Sequence, residues 1–276
     1  MRERLAVAFE AAFPRARSAR LDRMRPIQQG PEHELWRCRV RWQEPDGPGE
    51  ADLAVRVGTT SAGVAACQRE ARALKLAAER GLPVPEVWLT SAEDEAPAFV
   101  AVEWIEGEPF SLAWRRRRPD ASAETLAGVL VELHERTEVG TSAATGDGVG
   151  KALARLGRLA EERTDEPARV AVEELTRSQP ARAPLAFCHG DYRPEKVLLK
   201  VSGDPWLVGW THAGYGDPRL DLATAVVWLD ERYGAALRAP FLRIYRRTRP
   251  VEPTDLAWFE RLVRLDRRLR QHPVPT

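Results

Sequence analysis

The apolar pattern of this chain becomes mainly helical after Gly107, and that shift limits the folds open to it. Upstream, Trp36 to Trp42 and Ala51 to Val57 alternate apolar and polar residues as half-buried strands do, and the turn-rich Glu44 to Glu50 between them predicts an antiparallel hairpin. Val64, Cys67, Ala71, Leu74 and Ala78 then form one face of a helix over Val64 to Arg80, stopped by Gly81 and Pro83. Two further strands are expected at Pro85 to Thr90 and Ala98 to Ile105, with Ala92 to Pro97 as their turn, and Met1 to Phe13 reads as a short amphipathic helix. Downstream, apolar residues three and four apart predict helices over Ala123 to Arg136, Gly150 to Arg163, Ala168 to Ser178, Leu220 to Arg232, Ala235 to Arg247 and Thr254 to Gln271. Short runs at Leu185 to Cys188, Val197 to Val201 and Pro205 to Trp210 interrupt them as small loop-bearing strands. The expected class is a two-lobed α+β fold: residues 1–105 form a small lobe of antiparallel sheet plus one helix, and residues 106–276 a larger, mainly helical lobe.

Charge and composition exclude several functions. The formal net charge is +1, so no global field points to nucleic acid. No run of eighteen uncharged apolar residues exists, and the N-terminus lacks the pattern of a secretory signal, so the expectation is a cytoplasmic protein without a membrane span. Cys38, Cys67 and Cys188 lack metal-ligand spacing and are expected as reduced, packed thiols. Arginine is unevenly placed. One run is Arg115 to Arg118; the other is the tail from Arg232, where eleven arginines face four carboxylates, a net +7. Such runs are either solvated helix faces or a surface for an anionic ligand or partner.

The most informative stretch is Cys188-His189-Gly190-Asp191-Tyr192-Arg193-Pro194-Glu195-Lys196-Val197-Leu198-Leu199, followed by Leu207-Val208-Gly209-Trp210 and by Gly216-Asp217-Pro218-Arg219-Leu220-Asp221-Leu222-Ala223. It resembles the catalytic core of the aminoglycoside phosphotransferase and choline kinase families, relatives of protein kinases, whose loop runs H-G-D-x-x-x-x-N. The resemblance spans residues 25 to 230 and implies a protein-kinase-like fold. It implies Asp191 as the base that accepts the substrate hydroxyl proton and Arg193 as its neighbour at the transferred phosphate. It places Arg56 on the strand that reaches the ATP phosphates, Glu70 as its partner, Gly30 in the phosphate-covering turn, and the Glu103 carbonyl and Ile105 amide at adenine. His189, Asp217 and Asp221 would support the catalytic loop. Taken alone, Glu70 reads first as an exposed helix carboxylate beside Arg69 or Arg72, and its spacing after Arg56 favours the paired role; His134 reads as a packing residue and His189 as a structural one that hydrogen-bonds backbone. Neither G-x-G-x-x-G nor G-x-x-x-x-G-K-[ST] occurs, so no Rossmann or P-loop reading competes.

Two side chains depart from the family pattern. Lys196 stands where asparagine is expected and Gly209 where aspartate is expected, and neither offers an oxygen to magnesium. Three readings follow. One is a pseudokinase that binds nucleotide, with Lys196 among the phosphate contacts, or binds a small molecule, an acidic peptide or a partner protein. Another is an active ATP-dependent phosphotransferase on a small hydroxylated substrate, using a non-standard metal site or a cationic cradle of Arg56, Arg193 and Lys196. The third is a structural interaction module without nucleotide. The basic tail argues against a polycationic aminoglycoside as substrate.

Overall fold

The structure, a computed structural model, describes residues 3, 5–7, 18–45, 47–91, 98–139 and 148–271. In chain order the elements are β1 (Ser18–Gln29), β2 (His33–Glu44), β3 (Gly47–Gly58), α1 (Ser61–Glu79), β4 (Val87–Thr90), β5 (Phe99–Glu103) and β6 (Glu108–Pro109). There follow α2 (Phe110–Ala113), α3 (Pro119–Thr137), α4 (Gly148–Glu162), α5 (Glu166–Arg177), β7 (Ala186–Cys188), β8 (Val197–Leu199), β9 (Pro205–Leu207) and β10 (Gly214–Gly216). The chain ends in α6 (Pro218–Tyr233), α7 (Ala235–Thr248) and α8 (Pro253–Gln271). The class is the expected one, an antiparallel sheet with one helix followed by a mostly helical part. Two compact units divide it: Met1–Gly107 with Lys200–His212, and Glu108–Leu199 with Ala213–Thr276.

The first unit is built on a five-stranded antiparallel sheet, ordered β1-β2-β3-β5-β4. The predicted hairpin forms with Trp36 opposite Val55 and Val40 opposite Ala51. Period-two alternation divides β5 between two cores, because successive side chains point to opposite faces. Phe99 and Ala101 join Leu21, Cys38, Val40, Leu53, Val55 and Val57 on one face. Val100 turns to the other, under Cys67 and Ala71 of α1. The strand β1 was not foreseen. Arg20, Asp22, Arg23 and Arg25 break its apolar alternation, and register shifts flank Pro26 and Leu21, as an edge strand tolerates. The expected helix over Met1 to Phe13 and the turn Ala92 to Pro97 lie mainly outside the described residues, although Leu5 is buried in the sheet core.

The turn between β1 and β2 is pinned to the start of α1. Thr59 donates its amide to Glu32 O at 2.9 Å and its hydroxyl to Pro31 O at 3.1 Å. Thr60 caps the helix by accepting from the Gly63 amide at 3.2 Å, which satisfies one of the unpaired first-turn donors. Closeness is possible because residue 63 has no side chain: a Cβ there would lie 1.8 Å from Glu32 O.

In the second unit the six predicted long helices all form, each within a few residues of its expected ends. Leu126, Leu130 and Leu133 of α3, Leu222, Val226 and Leu229 of α6, and Phe241 and Tyr245 of α7 are buried at helical spacing. Short strands pair at the loop-bearing end, β7 with β10 and β6 with β8. No helix among the described residues is long and apolar enough to cross a membrane. All three cysteines are buried and without a disulfide.

Two glycine substitutions should move stability in opposite directions. Gly63→Ala forces Glu32 away and is expected to cost about 2 kcal/mol in urea unfolding, in the range of overpacking. Gly128→Ala, in α3 with nothing within 4 Å of a new Cβ, should gain roughly 0.5–1 kcal/mol from the unfolded chain's lost freedom.

Candidate functional site

In the first unit a buried ion pair joins strand to helix. Arg56 of β3 donates Nε to Glu70 Oε2 of α1 at 2.5 Å, and both side chains are buried. The alternative of an exposed Glu70 is therefore excluded. The other oxygen, Glu70 Oε1, accepts the Trp210 amide at 3.2 Å, so one carboxylate ties three separate segments. Arg69 adds a bond from Nη1 to Thr211 O at 2.6 Å, and Leu207 donates to Pro83 O at 2.8 Å. These bonds hold the backbone around Gly209, whose φ of +82° is a conformation that favours glycine.

Glu103 and Ile105 end the sheet in a strip of committed amides. Glu103 donates to Glu86 O at 2.8 Å and Trp104 to Asp52 O at 3.0 Å, whereas the Ile105 amide has no backbone acceptor among the described residues. The strip is braced from beneath. Arg37 lies 4.5 Å over the Trp104 ring and pairs with both Asp52 and Glu106. Hydrogen bonds from Arg39, and then Arg37, hold the Asp52 carboxyl down at about 2. Gly30 lies in the pinned turn, its amide bonded to His33 O at 3.1 Å.

The second unit shapes the loop that carries Asp191. Asp221, 1% exposed on the first turn of α6, accepts the His189 amide at 2.6 Å and the Gly190 amide at 2.8 Å, one on each oxygen. Gly190 takes a φ of +78°, and His189 Nδ1 accepts the Asp191 amide at 3.3 Å. Tyr192 anchors the far side by donating its hydroxyl to Leu126 O at 2.7 Å. His189 and Asp221 therefore hold the backbone of the loop. Asp217 does something else: it caps α6 through the Arg219 amide at 3.0 Å and grips the Arg219 side chain, which also reaches Asp255 and Ala181 O.

His134 is fully buried beneath the loop, with Nδ1 2.8 Å from the Tyr245 hydroxyl and Nε2 3.5 Å from Asp221. Desolvation lowers its pKa in spite of the opposing pull of Asp221. With Cys188 these two residues place three potential ligand atoms within 4.8 Å. A metal would need the thiolate, and burial pushes the Cys188 thiol well above its ordinary range. Asp221 is already engaged with two amides, so the group is a polar knot under the loop.

The loop brings Asp191, Arg193 and Lys196 together. Asp191 Oδ2 lies 3.2 Å from Arg193 Nη2 and 3.5 Å from Lys196 Nζ, and all three side chains are partly exposed. Lys196 is set by a 3-10 turn, Pro194–Lys196, closed by its amide on Arg193 O at 2.9 Å. Neither of the positions expected to hold magnesium fits a dication. An ammonium has no lone pair and stands against the Asp191 carboxylate, and Gly209 has no side chain.

The tail charge is largely neutralised by carboxylates from other elements. Arg243 pairs with Asp120, Arg249 with Glu138, Arg261 with Glu174, Arg264 with Asp230, Arg267 with Glu231 and Arg268 with Asp165. A net charge summed along the chain overstates the field at this surface. The argument against a polycationic substrate is weaker for it. In the Arg115 to Arg118 run, Arg116 pairs with Glu108 and Arg117 donates to Thr125.

A profile of the phosphotransferase enzyme family matches residues 23–259, across both units and every loop described above. The chain belongs to that family. It is 29% identical over 212 residues to an aminoglycoside 3'-phosphotransferase of Streptomyces fradiae, covering 70% of this chain and 77% of that one. A crystal structure of an aminoglycoside-3'-phosphotransferase of type VIII superposes with a TM-score of 0.66 at 28% identity, over 96% of this chain and 98% of the other. LicA in complex with AMP shares the fold, with a TM-score of 0.67 at 18% identity over 98% and 89% of the two chains.

Two measurements check the electrostatics. Glu70→Gln leaves Arg56 buried without its counter-charge and is expected to cost about 3 kcal/mol in chemical unfolding, whereas the double variant Arg56→Met with Glu70→Leu should recover most of it. Burial lowers the His134 pKa in the folded chain below its ordinary value of about 6.5, so near and below that pH the unfolded state binds more protons. Melting temperature should thus fall as pH drops from 7.5 to 5.5, and His134→Gln should flatten that slope.

Proposed function

We propose that this chain is a kinase-like protein that binds ATP and a second ligand but has little metal-dependent phosphoryl transfer. The observation that carries this reading is the placement of Lys196 and Arg193 on Asp191. A base that must accept a hydroxyl proton is engaged by two cations, and the position expected to supply an oxygen to magnesium supplies an ammonium instead. Because phosphoryl transfer relies on positioning and on neutralising charge around the phosphates, loss of both metal ligands removes its main source of acceleration.

Nucleotide binding has separate support. Among the described residues the Ile105 amide has no backbone acceptor, beside amides that are committed, as a hinge that hydrogen-bonds adenine requires. Arg56 is held rigid by Glu70 and would present its guanidinium to phosphate oxygens. Lys196 would contribute a point charge at the phosphates, and Gly30 the backbone of the covering turn. A small molecule, an acidic peptide or a partner protein would occupy the surface around Asp191. Three buried thiols suit a reducing cytoplasmic setting.

A second reading, active transfer to a small hydroxylated substrate, draws on what is intact. Asp191 keeps its place on a braced loop, and two of the relatives named above are aminoglycoside phosphotransferases. Titration with ATP, with and without magnesium, separates the two. ATP at about a hundredfold above its Kd should stabilise the chain by ~2.7 kcal/mol, equally in chelator and in magnesium. A shift that requires magnesium favours the active enzyme, and no shift in either buffer sinks nucleotide binding altogether. The variant Lys196→Asn with Gly209→Asp should acquire magnesium-dependent ATP hydrolysis; failure to gain any would count against the stated defect.

A further inference from the structure

Three guanidinium groups of the second unit converge on one indole. Arg267 lies 4.2 Å from the Trp228 ring centre, Arg193 4.9 Å and Arg232 5.3 Å. Cation–π attraction offsets part of their mutual repulsion, and the rest calls for counter-charge. Elsewhere on the tail Arg238, Arg243, Arg249, Arg261, Arg268 and Arg270 find it in carboxylates, whereas here it is short. Asp191 is shared between Arg193 and Lys196, and Glu231 between Arg267 and Arg264, although Arg264 also has Asp230. Arg232 has no carboxylate within ion-pair distance among the described residues. Arg193 Nε is buried and without a hydrogen-bond partner. Glu195, on the same turn, is a nearby carboxylate whose Oε2 is buried and without a hydrogen-bond partner.

We propose that Arg193, Arg232 and Arg267, arrayed around Trp228, form a subsite for an oxyanion carried by the acceptor, a hydroxylated small molecule bearing a carboxylate or a phosphate monoester. This rests on the reading of Asp191 as the acceptor side of a kinase-like site, and it names the substrate class. Guanidinium groups suit the task because their planar forks match the oxygens of carboxylate and phosphate, and because an indole beneath them holds them without consuming their donors. Arg193 joins the two functions: Nη2 reaches Asp191 while Nε is left unpaired, so an anion seated at Trp228 would draw the guanidinium off Asp191 and free the base. A polycationic acceptor would meet the wrong sign of charge here.

Binding to the full chain at low ionic strength tests this, with gluconate, glucose 6-phosphate, glucose and neomycin as probes and inorganic phosphate as control. Gluconate or glucose 6-phosphate should raise the melting temperature, and whichever does so identifies carboxylate or phosphate as the anion; glucose and neomycin should not. Arg232→Gln, an exposed position that will not compromise folding, should weaken the binding anion about tenfold, the worth of one charge-assisted hydrogen bond. Trp228→Leu should weaken it as well. The proposal is overturned if neomycin or glucose binds as well as the anions, or if inorganic phosphate gives the whole effect and Arg232→Gln leaves it unchanged. ATP is titrated alongside: an ATP shift without an anion shift overturns this subsite alone, and loss of both overturns the kinase-like reading with it.

Discussion

A single buried carboxylate, Asp221, gives the candidate site its geometry. Each oxygen accepts one amide of the loop, from His189 and from Gly190, so the chain leaves β7 in a fixed direction and Asp191 follows at a defined place. The His189 amide would otherwise be a buried donor without a partner, at a cost of about 1–3 kcal/mol, which is why the loop has little freedom to close elsewhere. Glu70 plays the corresponding part in the first unit. It divides its oxygens between Arg56 and the Trp210 amide, so strand, helix and the returning segment Lys200–His212 are secured by one group.

Bracing and metal binding separate cleanly in this molecule. The groups that hold the loops through backbone hydrogen bonds, Asp221, Glu70, His189 and the Tyr192 hydroxyl, are intact and buried. The two positions that would hold magnesium carry an ammonium and a hydrogen atom. A braced loop therefore presents its aspartate to cations of the protein itself, and Lys196 stands 3.5 Å from a carboxylate oxygen. The physical character of such a site is cationic and monovalent. Monovalent cations cannot bridge two phosphates and polarise them as a divalent ion does.

Much of the architecture was legible in the residues. Strong periodicity located α1 and the six long helices of the second unit, and strand alternation located the β2–β3 hairpin, because burial against one face imposes those periods. The strand β1 escaped, since an edge strand with one solvated face carries Arg20, Asp22, Arg23 and Arg25 without penalty. Charge was the least readable property. The tail's excess of arginine is a property of the string; its partners Asp120, Glu138, Glu174 and Asp165 arrive from helices far upstream.

The residues alone determined the chemical inventory: an aspartate in a kinase-like loop, an arginine on the strand before α1, and no side-chain oxygen at the two positions where the family pattern has one. Those conclusions need only side-chain identity and the resemblance of the loop. Tertiary structure decided which charges meet. That Glu70 turns inward to Arg56, that Asp217 serves Arg219 rather than the loop, and that three arginines surround Trp228 all depend on contacts between distant segments. Electrostatic interaction depends on distance in space and on the water excluded between the groups, and neither quantity is written in the order of the residues.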